Sequence, residues 1–343
     1  MACKPGFLIH PSYLELKGLE RDMTNSQISG IHHITALASD PQRNLDFYTN
    51  VLGLRLVKRT INFDAPDVYH LYYGDEVGNP GTLLTFFPFP DAARGKRGTG
   101  EVSSVAFAAP LAARDYWIHR LSQHGINVQG PLERFNEELI RFDDPDDLQL
   151  ELVFGGFGVA STVWKEGPVP AAFAIRRFRG VTVTLAQSKN TGALLTNTMG
   201  FRLSAEDGAQ VRYVIGTGAS QATLDVVVSA SLPPARMSAG SVHHIAWRVA
   251  DDAVQRLWQQ KIAEAGLSVT EIVDRQYFHS IYYREPGGVL FEIATDPPGF
   301  TNDESKENLG TNLMLPPWLE LHRRQIEEAL PSISVPAAAT VGK

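Results

Sequence analysis

A single cysteine, Cys3, occurs in 343 residues. One thiol cannot form an intrachain disulfide or a thiolate metal cluster, and such sparing use suits a reducing compartment. Basic residues are outnumbered: 31 Lys and Arg face 38 Asp and Glu, for a formal net charge of −7, and no cluster marks a nucleic-acid surface. Long apolar runs are missing too. Stretches such as LDVVVSASL (224–232) stop well short of the ~20 residues that a membrane helix needs. The N-terminal segment MACKPGFLIHPSYLELKGLER is interrupted by Pro5, His10 and Pro11 and carries Glu15 and Glu20, unlike a signal peptide. These absences predict a cytoplasmic protein that engages neither nucleic acid nor membrane. Association into a homo-oligomer is left open.

The sequence does contain an internal repeat. Residues 30–53 read as a strand (IHHITALA), a helix opened by Asp40 and Pro41, and a stop at Gly53. An aspartate N-cap followed by proline at the first helical position is a strong helix start, and glycine accepts the left-handed conformation that ends a helix. Leu45, Tyr48 and Leu52 fall on one helical face. The pattern returns at 101–125, 179–200 and 241–266, with stops at Gly125, Gly200 and Gly266. β-rich sequence follows each stop. IRFDDPDDLQLELV (140–153) aligns with IYYREPGGVLFEIA (281–294), each with a turn proline and a glutamate six residues on: Pro145 to Glu151, and Pro286 to Glu292. In unit one the same count from Pro80 reaches Phe86, and in unit three TLDVVV (223–228) reads as the final strand.

The repeat predicts an α+β protein of four βαβββ units arranged as two open β-barrel-like domains. The expected division is an N-terminal extension (1–29), a first pair of units (30–157), a linker (158–178), a second pair (179–298) and a tail (299–343) with a short helix in HRRQIEEAL (322–330). GGFG (155–158) resembles a phosphate loop only superficially, because no convincing helix follows it.

Alignment turns residues into slots. The first-strand slot holds His32-His33, Ser103-Ser104, Thr182-Val183 and His243-His244 in units one to four. The last-strand slot holds Phe86, Glu151, a residue near Asp225, and Glu292. A lone strand histidine is more often a hydrogen-bonded core residue than a ligand, and His70 in VYHLYY is read that way. Histidine doublets in equivalent slots of two units, with a glutamate on the apolar strand VLFEIA, are harder to explain as core. If units one and four pack together, one histidine from each converges with Glu292. Two imidazoles and one carboxylate on one face of a metal ion are the donor set of non-haem Fe(II) oxygenases. Neighbouring strand residues point to opposite faces, so only one histidine of each doublet is expected to serve as ligand. Phe86 supplies no fourth ligand, and Glu151 reads as a relic or a structural residue.

With these residues in place, the chain resembles the vicinal oxygen chelate superfamily, which is built from βαβββ units. Within it the chain is most similar to the ring-cleaving dioxygenases of dichlorohydroquinone and methylhydroquinone type. GIHHIT (30–35), FYTNVLGLRLVKRT (47–60), YHLYYGDEVGNPGT (69–82), YYREPGGVLFEIATDPPGF (282–300) and ENLGTNLMLPPW (307–318) carry the similarity. The resemblance implies an extradiol-type enzyme that opens a dihydroxylated aromatic ring with O₂. It implies Fe(II), with Mn(II) as an alternative, on His33, His244 and Glu292. It places His32, His243 and Tyr282 among the catalytic groups and Thr35 and Arg275 at the substrate. A glyoxalase-type isomerase or lyase and a metal-free bleomycin-resistance-type binding protein are the rival readings. The first usually needs a fourth protein ligand, and the second has no use for the triad.

Overall fold

The computed structural model describes residues 26–156 and 162–335. Cys3, most of the 1–29 extension, residues 157–161 at the expected start of the linker (with part of GGFG), and the last eight tail positions, 336–343, lie outside the described residues.

All four βαβββ units are present. Unit one comprises β1 (Ile31–Ala38), α1 (Pro41–Asp46), β2 (Arg55–Asn62), β3 (Ala65–Gly74) and β4 (Leu83–Pro88). Unit two comprises β5 (Glu101–Pro110), α2 (Arg114–Gln123), β6 (Gln129–Arg134), β7 (Glu137–Asp143) and β8 (Gln149–Gly155). Unit three comprises β9 (Arg177–Leu185), α3 (Lys189–Ala193), β10 (Arg202–Asp207), β11 (Gln210–Ile215) and β12 (Ala222–Val228). Unit four comprises β13 (Val242–Val249), α4 (Asp252–Glu264), β14 (Val273–Asp274), β15 (His279–Arg284) and β16 (Leu290–Thr295).

Local chemistry sets the helix ends. The Asp40 carboxylate accepts from the Arg43 amide at 2.9 Å with Pro41 in the first turn, and Asp251 caps α4 through the Val254 amide at 3.0 Å. Helix α1 widens into a π-helical turn over Phe47–Val51 before the stop, as α3 does over Leu194–Thr198. The four stops have φ of +69° at Gly53, +72° at Gly125, +81° at Gly200 and +82° at Gly266, a region that glycine enters without steric cost.

Within each unit the first and last strands pair in parallel, so the helix forms the crossover and the two intervening strands extend the sheet outward. First strands then join antiparallel, β1 with β13 and β5 with β9. The result is two eight-stranded sheets, ordered β14-β15-β16-β13-β1-β4-β3-β2 and β10-β11-β12-β9-β5-β8-β7-β6. Each sheet therefore takes one unit from each half of the chain: units one and four make the first, units two and three the second. The boundary between 30–157 and 179–298 follows chain order, and the sheets cut across it. This arrangement brings the two histidine doublets side by side at the centre of one sheet.

The linker is fixed to unit two, where the Trp117 indole donates to the Phe173 carbonyl at 2.8 Å and Phe173 stacks on Tyr116. The tail lies along unit one. Lys58, fully buried on β2, donates to Asp303 and Glu304 at 2.6 Å each. The helix expected in HRRQIEEAL is α5 (Arg323–Ala329), preceded by a 3₁₀ segment over Pro317–His322.

Candidate metal centre

The pairing of β1 with β13 contains two irregularities. Ile31 opposes Trp247 while His33 opposes Ala246, and Thr35 opposes His244 while Ala36 opposes Val242. His32 and His243 are the extra residues of two β-bulges, which suspend the usual alternation of side chains. Each first histidine thus turns toward its neighbour: Nδ1 of His32 lies 2.9 Å from Nδ1 of His33, and Nδ1 of His243 lies 2.8 Å from Nδ1 of His244. With their Nδ1 atoms engaged, His33 and His244 bring their Nε2 atoms within 3.2 Å of each other.

Glu292 completes the group. Its Oε2 lies 2.9 Å from His244 Nε2 and 3.4 Å from His33 Nε2, while its Oε1 accepts from the Ser280 hydroxyl at 2.5 Å. Oε2 is buried with no hydrogen-bond partner. A fully buried carboxylate oxygen facing two imidazole nitrogens, all three donor atoms within 4.8 Å of one another, fits a divalent cation. Burial, aided by its neighbour His33, holds His32 well below the usual imidazole range. Burial likewise lowers His244 and brings His243 down to about 3. Burial alone would raise Glu292, but the adjacent His33 and His244 outweigh it and keep the carboxyl well below its ordinary value.

A cavity of about 380 Å³ opens onto this cluster. His33, His243, His244, Arg275 and Tyr282 line it, with Phe63, Tyr72, Phe87 and Phe278 as aromatic walls. Arg275 does reach the pocket. Its Nε donates to the Tyr282 hydroxyl at 3.1 Å, and its Nη1 pairs with Asp64 at 3.3 Å across the mouth. Burial, then Glu292, raises the Tyr282 phenol above its ordinary value, so it keeps its proton. His32 is not on the wall; it packs behind His33 and against Phe278. Thr35 is also fully buried off the wall, its hydroxyl 2.8 Å from that of Thr85.

Two slot assignments need correction. Counting from Pro80 gave Phe86 as the counterpart of Glu292, but strand register gives Thr85. Ala246, two residues after His244, pairs with Glu292, and Thr35, two residues after His33, pairs with Thr85. The β3–β4 turn of unit one is longer than its counterparts, residues 75–82 against 144–148 and 285–289, and its proline sits one residue nearer the slot. A count of six therefore overshoots to Phe86, which packs into the core on Tyr48. The slot still lacks a carboxylate. In unit three the pairing of Ser104 with Thr182 and Ala106 with Gly180 moves the first-strand slot from Thr182-Val183 to Arg179-Gly180, with Arg179 as the bulge. Asp225 does occupy the last-strand slot, opposite Thr182.

The second sheet consequently offers no imidazole. A side chain at position 180 would collide with Thr223. Its two carboxylates are bound by guanidinium groups: Arg134 reaches Glu151 at 2.6 Å and Asp225 at 3.1 Å, Arg141 reaches Glu151 at 2.9 Å, and Arg212 reaches Asp225 at 2.7 Å. A larger cavity of about 810 Å³ lies over this floor, but the acids there are already neutralised. Glu151 is structural.

His70 is the residue whose position the sequence concealed. It lines the cavity, its Nε2 2.9 Å from the Thr85 hydroxyl and its Nδ1 2.8 Å from the Tyr72 hydroxyl. The i, i+2 spacing of His70 and Tyr72 on β3 placed both on one face, though not which face.

The model of the Glyoxalase/Bleomycin resistance protein/Dioxygenase superfamily matches residues 30–152 and 192–293. A Bacillus subtilis protein provisionally named ring-cleaving dioxygenase MhqO is 47% identical over 304 residues, 88% of this chain and 95% of its own. The chlorohydroquinone/hydroquinone 1,2-dioxygenase of Sphingobium indicum is 37% identical over 302 residues, 86% of this chain and 93% of its own. A crystal structure of a provisionally named dioxygenase from B. subtilis superposes with a TM-score of 0.86 at 46% identity, covering 90% of this chain and 98% of that one. Glyoxalase I from Zea mays, at 12% identity and a TM-score of 0.58, shares the fold over 78% of this chain and 92% of its own.

Proposed function

The chain belongs to the Glyoxalase/Bleomycin resistance protein/Dioxygenase superfamily, and from that premise we propose that it is a metal-dependent dioxygenase that opens a hydroquinone-type ring with O₂. The observation that carries this reading is the meeting of two histidine Nε2 atoms and the unpartnered Oε2 of Glu292 at the base of an aromatic-walled cavity. His33, His244 and Glu292 would hold the metal, Fe(II) by preference and Mn(II) as the alternative. When bound, that ion supplies a Lewis acid for a substrate hydroxyl and an electron path to O₂.

The remaining chemistry belongs to the side chains. A cavity of about 380 Å³ takes one substituted ring, which Phe63, Phe87 and Phe278 can sandwich while keeping water away. His243 is held neutral and lines the cavity. With His244 Nε2 kept for the metal, His244 Nδ1–H donates to His243 Nδ1, which leaves the His243 Nε2–H free to donate a hydrogen bond to a substrate oxygen that gains negative charge. Tyr282 keeps its phenolic proton and, braced by Arg275, can donate a hydrogen bond to a substrate oxygen that gains negative charge. His32 holds His33 through Nδ1 and so acts as a positioning residue. Thr35 affects the substrate only through Thr85 and His70.

A glyoxalase-type isomerase is disfavoured by Thr85 in the slot of a fourth ligand. A metal-free binding module leaves the buried Glu292 oxygen without a purpose. The test is anaerobic reconstitution with Fe(II), followed by oxygen uptake with methyl- or chloro-substituted hydroquinone. Uptake near one O₂ per ring opened is expected. A chain shown to hold one iron that consumes no oxygen with any hydroquinone or catechol would overturn the assignment. No described helix is long and apolar enough to cross a membrane.

A further inference from the structure

A second cavity, about 420 Å³, lies at the seam between the two sheets. Ile31 and Arg248 face it from the first sheet, and Arg177, Phe178 and Ala222 from the second. Arg177, at the start of β9, is partly buried. Its Nε is enclosed with no hydrogen-bond partner, and its Nη2 reaches only the Gly218 carbonyl, at 3.5 Å. No carboxylate among the described residues lies within ion-pair distance of it. Its neighbours are satisfied: Arg179 pairs with Glu137 at 2.7 Å, and Arg248 with Asp296 at 2.7 Å. Burial and then the like charge of Arg179 are what perturb Arg177, and no acid compensates them.

Asp75 is the acid on the cavity wall among the described residues, and its oxygens are taken. They accept from the amides of Val77, Gly78 and Asn79, from the Asn79 side chain, and from the Thr162 hydroxyl. The rest of the wall sets apolar Ile31, Pro80, Phe178 and Ala222 beside neutral polar groups, Asn79, Thr82, Thr162 and Ser220, so among the described residues Arg177 is the guanidinium there without a carboxylate partner. A partly buried charge without a partner is costly, and an anion entering the cavity relieves that cost. The Asp75 charge and the pairing of Arg248 with Asp296 leave room for one negative charge and oppose a second.

We propose that the seam cavity binds a small organic monoanion, a carboxylate on a compact apolar body, with Arg177 as its counter-ion. The site is separate from the metal centre and does not depend on the proposed reaction.

Benzoate is a suitable probe, with benzyl alcohol as its neutral analogue and inorganic phosphate as the dianionic control. Titration calorimetry and thermal melting of the metal-loaded full chain should show saturable benzoate binding and a raised Tm, weaker phosphate binding, and none for benzyl alcohol. Arg177→Gln should weaken benzoate on the order of tenfold or more without lowering the Tm of the free protein. Ala219→Trp, at an exposed position on the cavity rim, should block entry while retaining Arg177. His244→Ala, which alters the metal centre, should leave benzoate affinity intact. The proposal is overturned by the absence of saturable benzoate binding, by equal affinity in Arg177→Gln or Ala219→Trp, by tighter binding of phosphate, or by loss of benzoate in His244→Ala.

Discussion

His32 and His243 each occupy the extra position of a β-bulge, and this divides the work within each doublet. On a regular strand the first histidine would face away from the second. Here it becomes the partner of its neighbour's Nδ1, so removing a brace and removing a ligand have different consequences. His33→Ala, His244→Ala and Glu292→Ala should each abolish retention of Fe(II) on anaerobic dialysis, measured as iron per chain. His32→Ala should keep the metal but bind it about 10- to 100-fold more weakly, the usual effect of losing a ligand's outer hydrogen bond. Equal loss in His32→Ala and His33→Ala would refute the division. Glu151→Ala should retain iron while costing about 3 kcal/mol in urea unfolding, because it strands Arg141 and leaves Arg134 only Asp225 as a counter-ion. The two doublets and Glu292 were legible because chemistry repeated at equivalent positions. Thr85 was not, because counting from a proline assumes turns of equal length. Gly180 was not, because a slot filled by glycine carries no chemical mark. The bulges leave no trace in residue type, so nothing in the doublets alone shows which histidine is the ligand.

At the scale of the element, caps and stops were readable because their chemistry is local: Asp40, Asp251 and the four positive-φ glycines sit where the pattern placed them. The widening of α1 and α3 into π-helical turns was not, since packing over the sheet decides it. The turn between β7 and β8 shows a further cost that pattern does not reveal. Asp144 there is buried and accepts from the Tyr48 hydroxyl at 2.9 Å and from the amides of Asp146 and Leu148 at 2.8 Å each. Burial nevertheless dominates and pushes its carboxyl up to about 7. Because the folded value exceeds the unfolded 3.8, the folded state holds a proton that the unfolded chain has released between those limits. The stability it contributes is full below about 4 and is lost as the pH rises toward 7. Asp144→Asn removes that titration. The stability of the parent relative to Asp144→Asn should therefore fall by roughly 2–3 kcal/mol between pH 5 and pH 8, as read from urea midpoints. A pH-independent difference would show that the carboxyl titrates normally.

Across the whole molecule, the sheets join units that are distant in sequence, and the candidate centre exists only where unit one meets unit four. His33 and His244 are 211 residues apart. The repeat made the four units legible, but the choice between pairing neighbours and pairing one with four rests on how first strands associate, which strand composition does not encode. The tail closes the same sheet from outside. Lys58 on β2 is fully buried, and Asp303 and Glu304 from the tail neutralise it. Removing residues 299–343 should strand that ammonium and destabilise the chain by about 3–5 kcal/mol, since breaking a buried pair leaves an uncompensated charge. Lys58→Met removes the charge while keeping an apolar stem against Tyr277, which lies 5.0 Å from the ammonium. If the buried charge is the main cost, Lys58→Met should restore much of the stability of the shortened chain, although it destabilises the full-length protein by stranding Asp303 and Glu304. Urea unfolding of the four combinations measures the coupling directly. Additive losses would mean that the tail stabilises unit one through apolar packing alone and that the lysine pair is incidental.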